Sequence, residues 1–393
     1  MKELDLTAEE QLVLGCLRAT LDPDRPLPVL DAGFDDWQGL ISAAQTHRAL
    51  GALLAVEKQS PGFWPAEFTR RIASWRLTML VHAEQAVAQV ASTLAELTLV
   101  GIPLVVMKGW DYIHTVYGGD YSLRPCADID ILIHPRDVKS AEEALARQKY
   151  QPYEELWPGI RFRYGNAAYH YQRSQKTPHE TLYGVDLHWG LFNIRCLDDR
   201  VSIAELFSRA VSLEVGGIPV LHMGVEDHIL HAAGHRSLHH DNDSEMYRFY
   251  ELAWVIRHAQ PGVDWTEVFS RAKEWGIRLA LRSILEEIER HFPGTLPEFS
   301  SQEWAALEPD PQEARLYQTL QKYHVTPLGR LLPIRWTPKG LWETAGFLFE
   351  AFVPGPKFME HRYGKTRIWP VLYFRRAGNA FKQLAGFLGR KPA

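Results

Sequence analysis

The chemistry of this chain is concentrated in Arg124-Pro-Cys-Ala-Asp128-Ile-Asp130-Ile-Leu-Ile133. Read as a strand, alternate residues share a face. Asp128 and Asp130 then point one way, and Ile129, Ile131 and Ile133 the other. Two carboxylates held a few ångströms apart repel and raise each other's pKa. A cation between them removes that cost. Mg²⁺ suits the pair, because it takes hard oxygen ligands and is commonly held by one or two carboxylates plus substrate phosphates; Mn²⁺ is the natural substitute. The plain alternative is a pair of solvated aspartates at a strand edge.

Three neighbours weigh against the plain alternative. Lys108-Gly109 closes the preceding apolar run, where a glycine lets a phosphate approach the backbone and a lysine neutralises it. Arg124 lies four residues before Asp128, within reach of a phosphate or of the carboxylates. Asp186 sits inside the apolar run Val185-Asp-Leu-His-Trp189, where an unpaired carboxylate is expensive. A third carboxylate beside a metal pair can ligate a second ion and activate a hydroxyl. His188 is two residues further on and shares the face of Asp186, to contact a nucleotide or acceptor, or to sit as a satisfied half-buried histidine.

Two further patterns lie outside this group. Asp227, His228, His231, His235 and His239 fall on one helix face, with His240, Asp241 and Asp243 just beyond. They admit a metal site, a pocket wall facing the carboxylates, or simple packing; the HExxH glutamate is missing. Gly364-Lys365-Thr366 imitates the end of a phosphate-binding loop, but Met359 stands where that loop needs its first glycine, so the motif is rejected.

The elements that must position these residues follow from periodicity. Residues 5–100 read as helical, with Asp36 as a cap and one long helix from Pro65 to Leu99. Short strands are expected at 102–107, 129–133 and 185–189, within 161–171 and within 211–221. Helices are expected at 110–117 and 138–148, and two or three more between Val225 and Phe292. Pro293–Pro311 reads as loop, and helix is expected again from Leu316 to Tyr323. The implied divisions are a helical region over 1–95, a catalytic core over 96–222, a helical domain over 223–300, and a loop and tail over 301–393.

Length and composition agree with several packed units. The chain has 393 residues, 46% hydrophobic and 23% charged, which excludes a disordered chain. Net charge is −5, against a general polyanion binder. Residues 351–393 nevertheless carry nine Lys/Arg against the single acid Glu360, among many aromatics. Phe381, Leu384, Phe387 and Leu388 would share one helical face there. Docking of this tail on the acidic body is expected, with membrane, partner or nucleic-acid contact as alternatives. The three cysteines, Cys16, Cys126 and Cys196, have no metal-type spacing and fit a reducing cytosol. No signal segment and no run of about 18 apolar residues is present, so a cytoplasmic location is expected.

Met107-Lys-Gly109, Arg124, Asp128-Ile-Asp130 and Val185-Asp-Leu-His-Trp189 together resemble the nucleotidyltransferase superfamily of the DNA polymerase β type, in particular its bacterial "nucleotidyltransferase family protein" branch. The resemblance extends to Trp37–Leu54, to His231-Ala-Ala-Gly-His235, to Leu252–Leu285 and to the aromatic and basic stretch 354–376. It implies an α+β fold, a small mixed sheet flanked by helices from both ends of the chain. It also implies that Asp128 and Asp130 hold Mg²⁺ against the outer phosphates of an NTP. Asp128, Asp130 and Asp186 would hold a second Mg²⁺ at the α-phosphate, with Asp186 helping to deprotonate an acceptor hydroxyl. Lys108, Gly109, Arg124 and His188 would contact the nucleotide. Transfer of an NMP group to an acceptor, either a small hydroxylated molecule or a peptide or protein side chain, would release pyrophosphate. The sequence departs from the superfamily at Gly109-Trp110, where Gly-Ser or Gly-Gly is usual, and this motivates one alternative, an idle nucleotide-binding regulator; a phosphotransferase using the same metal site is a third possibility.

Overall fold

The structure is a computed structural model and describes residues 6–31, 33–153, 168–173, 183–239, 245–259, 261–323, 345–346, 349–350, 353–364 and 369–388. Helices α1 (Ala8–Leu21), α2 (Trp37–Thr46), α3 (Leu50–Gln59) and α4 (Ala66–Leu99) precede the first strand. Thr7 and Glu10 form a capping box at α1, and the Asp36 carboxylate accepts from the Gly39 amide at α2, 2.7 Å away. Strand β1 (Leu104–Met107) runs directly into α5 (Lys108–Thr115). Then come β2 (Asp128–Ile133), α6 (Val138–Arg147), β3 (Tyr150–Pro152), β4 (Ala168–Arg173) and β5 (Gly184–His188). Two short helices, α7 (Arg195–Asp198) and α8 (Ile203–Arg209), lead to the hairpin β6 (Val211–Val215) and β7 (Ile218–His222). Helices α9 (Val225–His239), α10 (Met246–His258), α11 (Trp265–Trp275) and α12 (Arg278–His291) follow. The last described elements are α13 (Ser301–Ala306), α14 (Pro311–Tyr323), α15 (Pro356–Tyr363) and α16 (Trp369–Leu388).

The strands form one mixed sheet in the order β3-β4-β5-β2-β1-β7-β6. β2 is antiparallel to β1 and parallel to β5, and β1 is parallel to β7. Alternation divides the sheet's two faces between two cores. Leu104, Val106, Ile129, Ile131, Ile133, Val185 and Leu187 pack with Val90, Leu94 and Leu97 of α4 and Ala141 and Leu145 of α6. Val105, Met107 and Leu132 face the other core, built from α1–α3 and α9–α12. The long α4 serves both: Phe68 and Ile72 near its start lie in the second core, and its C-terminal half in the first. Since Asp128, Asp130, Asp186 and His188 alternate with the α4/α6-facing residues, they lie on the side covered by the terminal helices.

The α+β class and mixed sheet agree with expectation, but several local expectations need correction. α5 begins at Lys108, not Trp110, because no turn separates it from β1. Four helices, not two or three, occupy 225–291. The stretch 293–311 contains α13, started by a Ser300/Glu303 capping box. β3 has no sequence signal, being a three-residue strand that among the described residues pairs with β4 alone. The strand expected within 161–171 is β4, and residues 154–167 lie outside the described residues. In the tail, α15 and α16 pack on each other: the Tyr373 hydroxyl donates to the Pro354 carbonyl at 2.8 Å, and Arg376 lies 5.2 Å from the Phe358 ring centre. The side chains of Phe381, Leu384, Phe387 and Leu388, and Lys365 and Thr366 of the rejected motif, lie outside the described residues. Gly364 caps the end of α15 at φ +84°, a role that accounts for the glycine without a phosphate.

Candidate active site

Register, not sequence proximity, assembles the site. In the parallel β2/β5 pair Asp128 lies opposite Gly184, Asp130 opposite Asp186, and Leu132 opposite His188. β1 brings Met107 opposite Asp130, so the next residue, Lys108, emerges beside that carboxylate. On the far side β4 places His170 opposite Asp186. A row therefore runs from the start of α5 across three strands: Lys108, then Asp130 of β2, Asp186 of β5 and His170 of β4. The buried isoleucines of β2 hold this register, since a one-residue slip would turn them out of their core.

Asp130 is 7% exposed. Its Oδ1 accepts from the Lys108 ammonium and from His188 Nε2 at 2.9 Å. Burial alone would raise the Asp130 carboxyl, but Lys108 and His188 outweigh it and hold the group well below the usual carboxylate range. Asp128 is half-buried and has no such partner; burial, then the charges of Asp130 and Asp186, push it up to about 6. Asp186 accepts from His170 Nδ1. Burial disfavours the charged imidazole of His170, yet Asp186 reverses the balance and its pKa is raised. Gly184 makes this contact possible, because a Cβ there would lie 2.3 Å from the His170 ring.

Lys108 adopts φ +53°, the left-handed region that side chains other than glycine rarely occupy. Such strain persists where surrounding structure enforces it, commonly at functional sites. Here the β1 register and the start of α5 enforce it. Gly109 is required by packing: a Cβ would fall 2.4 Å from Cys126 Sγ. Trp110 turns away into the α4/α6 core, 5.1 Å between ring centres from Tyr121. The unusual residue after the glycine is therefore a core residue and does not obstruct the carboxylate face.

The other expected residues are distributed differently. Arg124 is 6% exposed and donates through Nε to Glu251 of α10, with its guanidinium 4.7 Å from the Tyr247 ring centre. Its charge is thus matched by a buried carboxylate, and it ties α10 to the loop preceding β2. The histidine face of α9 divides along its length. Asp227 pairs with Arg209 at 2.9 Å and Arg271 at 3.1 Å. His228 lies 3.3 Å from buried Asp111, which His222 approaches equally from β7. His231 is buried: burial, with Lys108 next in weight, keeps its imidazole well below the ordinary pKa, and its Nε2 has no hydrogen-bond partner among the described residues. The side chain of His239 and residues His240, Asp241 and Asp243 lie outside the described residues.

One oxygen or nitrogen from each of Asp130, Asp186 and His188 lies within 4.8 Å of the others, an arrangement that could hold a metal ion. Asp128 borders this group without belonging to it. Two carboxylates and an imidazole are ligand types that a divalent ion accepts. His170 and Glu251 escaped the sequence reading. His170 alternates with buried Tyr169 and Tyr171, so its face was legible, but the β4/β5 pairing was not. Glu251 had no signal at all, lying 127 residues from Arg124.

Residues 35–293, two thirds of the chain and the whole of the site, match the family described as uncharacterised nucleotidyltransferase. The chain belongs to that family. A search of curated proteins returns no match. The match in this nucleotidyltransferase-family chain runs from just before α2 to just past α12, and so takes in the entire sheet and the helices that cover its polar face. The three cysteines are free thiols. Among the described residues no helix is long and apolar enough to cross a membrane.

Proposed function

We propose that the protein transfers a nucleotidyl group from an NTP to a hydroxyl acceptor, with a divalent cation held at Asp130 and Asp186. The observation that carries this reading is the register of β2 against β5, which sets Asp130 beside Asp186 with Asp128 on the same face. A bound Mg²⁺ or Mn²⁺ would supply charge neutralisation on the phosphates. Asp128 would complete the ligand set, its high pKa in keeping with a carboxylate that lacks its counterion. Asp186 would draw the proton from the acceptor hydroxyl, with His170 fixing its orientation. The acceptor oxygen bonds to the α-phosphorus as the bond to the β-phosphate oxygen breaks, and pyrophosphate leaves with that electron pair. Lys108 and the backbone at Gly109 would meet the outer phosphates. His188 would orient Asp130 or ligate the metal, and neutral His231 would form the wall opposite.

The acceptor would be a small hydroxylated molecule or a peptide or protein side chain, and the free thiols suit a cytoplasmic location. Calorimetric titration of the four NTPs, with and without Mg²⁺ or Mn²⁺, into wild type and Asp130→Asn tests the site. Metal-dependent binding lost in the variant is expected. An α-labelled NTP then reports the chemistry: labelled acceptor with pyrophosphate supports the reading, whereas NDP release identifies a phosphotransferase.

A further inference from the structure

Asp130 Oδ1 is the most heavily used atom of the site. It accepts from Lys108 and from His188 Nε2, and the Asp130 carboxylate belongs to the group able to hold a metal. Lys108 reaches it from a left-handed backbone position at the strand-to-helix junction, where α5 starts without a turn. The Lys108 side chain is 21% exposed against 9% for Asp130, so it is the more solvent-accessible partner of the pair. A divalent cation held by Asp130 and this ammonium would share one carboxylate, and within a few ångströms they repel each other. An ammonium on a flexible four-carbon stem can swing away, whereas a carboxylate held in a strand cannot.

We propose that Lys108 is a built-in counterion that a divalent cation displaces from Asp130, and that the released ammonium is then taken up by the outer phosphates. This rests on the metal-dependent reading above and adds a regulatory consequence. Metal alone binds weakly, because it must evict a charge. Metal and polyphosphate bind cooperatively, because the polyphosphate gives the evicted charge a new partner. The pairing would keep the site from capturing free divalent ions when no nucleotide is present.

The test uses the full-length, chelator-stripped protein and Mn²⁺ followed by electron paramagnetic resonance. Lys108→Gln and Lys108→Gly should bind Mn²⁺ about tenfold or more tightly than wild type, since a competing charge is gone. The glycine form also suits φ +53°, so its folding is protected. Lys108→Arg, which keeps the charge, should stay close to wild type. Inorganic tripolyphosphate should tighten Mn²⁺ binding in wild type and lose most of that effect in Lys108→Gly. Mn²⁺ affinity unchanged or weakened in both neutral variants would overturn the displacement. Asp130→Asn separates the two levels of the argument. Mn²⁺ binding that survives this change sinks the metal reading itself. Binding that needs Asp130 yet ignores Lys108 sinks only the displacement.

Discussion

At the scale of residues, three carboxylates on one sheet face differ because their neighbours differ. Asp130 has Lys108 and His188, Asp186 has His170, and Asp128 has none of these. The pH dependence follows from Asp128. Its folded pKa, near 6, lies above the unfolded value of about 3.9, so the folded state holds this proton more tightly. Its contribution to stability is complete below the unfolded pKa and is lost as pH rises through the folded one. The melting midpoint of metal-stripped protein should therefore fall between about pH 4 and 6.5, and the upward shift caused by Mn²⁺ should grow over the same interval. A Mn²⁺ shift independent of pH would contradict this. His170→Ala should lower transfer about 10- to 100-fold, the usual cost of removing a partner that orients a metal ligand, with little change in melting. Gly184→Ala, which drives a methyl into the His170 ring, should imitate it. Steady-state rates of the two variants are the comparison.

At the scale of elements, the sheet is joined to its helical cover by a few buried polar links. Arg124 to Glu251 is the deepest, linking the loop before β2 to α10. Removing one partner strands a buried charge, which typically costs about 3–5 kcal/mol, whereas replacing both by apolar residues is far less costly. Glu251→Leu and Arg124→Leu should each lower the urea midpoint markedly, and the double variant should recover much of the loss. Double-variant destabilisation equal to the sum of the singles would show that the two residues do not act as a pair. The consequence for function is positional: α10 is anchored to the loop that delivers Asp128.

At the scale of the whole molecule, the two cores meet at the sheet, and its carboxylate-bearing face is the one packed against α1–α3 and α9–α12. Helix α14 is tied to this body by a buried pair, Glu313 accepting from Arg278 Nε at 2.7 Å. Family similarity ends earlier still, at residue 293. A protein ending at Tyr323 should therefore keep its NTP affinity within about twofold, while losing the basic α15–α16 segment. Calorimetry on the shortened protein decides this, and loss of binding would assign the tail to the site.

The sequence by itself determined what is local. The Asp-Ile-Asp alternation put two carboxylates on one strand face, because side chains in a strand alternate whatever the sheet around them. Asp36 and Pro65 marked helix starts for similarly local reasons, and the superfamily motifs were enough to name the α+β class. What only the tertiary structure decided is pairing between distant segments. That Asp186 stands opposite Asp130, that His170 joins it, and that Arg124 is committed to Glu251 depend on strand order and helix docking. No short-range pattern encodes these contacts, because each is made by residues 16 to 127 positions apart and is selected by burial of a shared core. Lys108 belongs to both levels: its charge and its glycine neighbour were visible in the chain, but its strained backbone and its hold on Asp130 exist only once β1 lies beside β2.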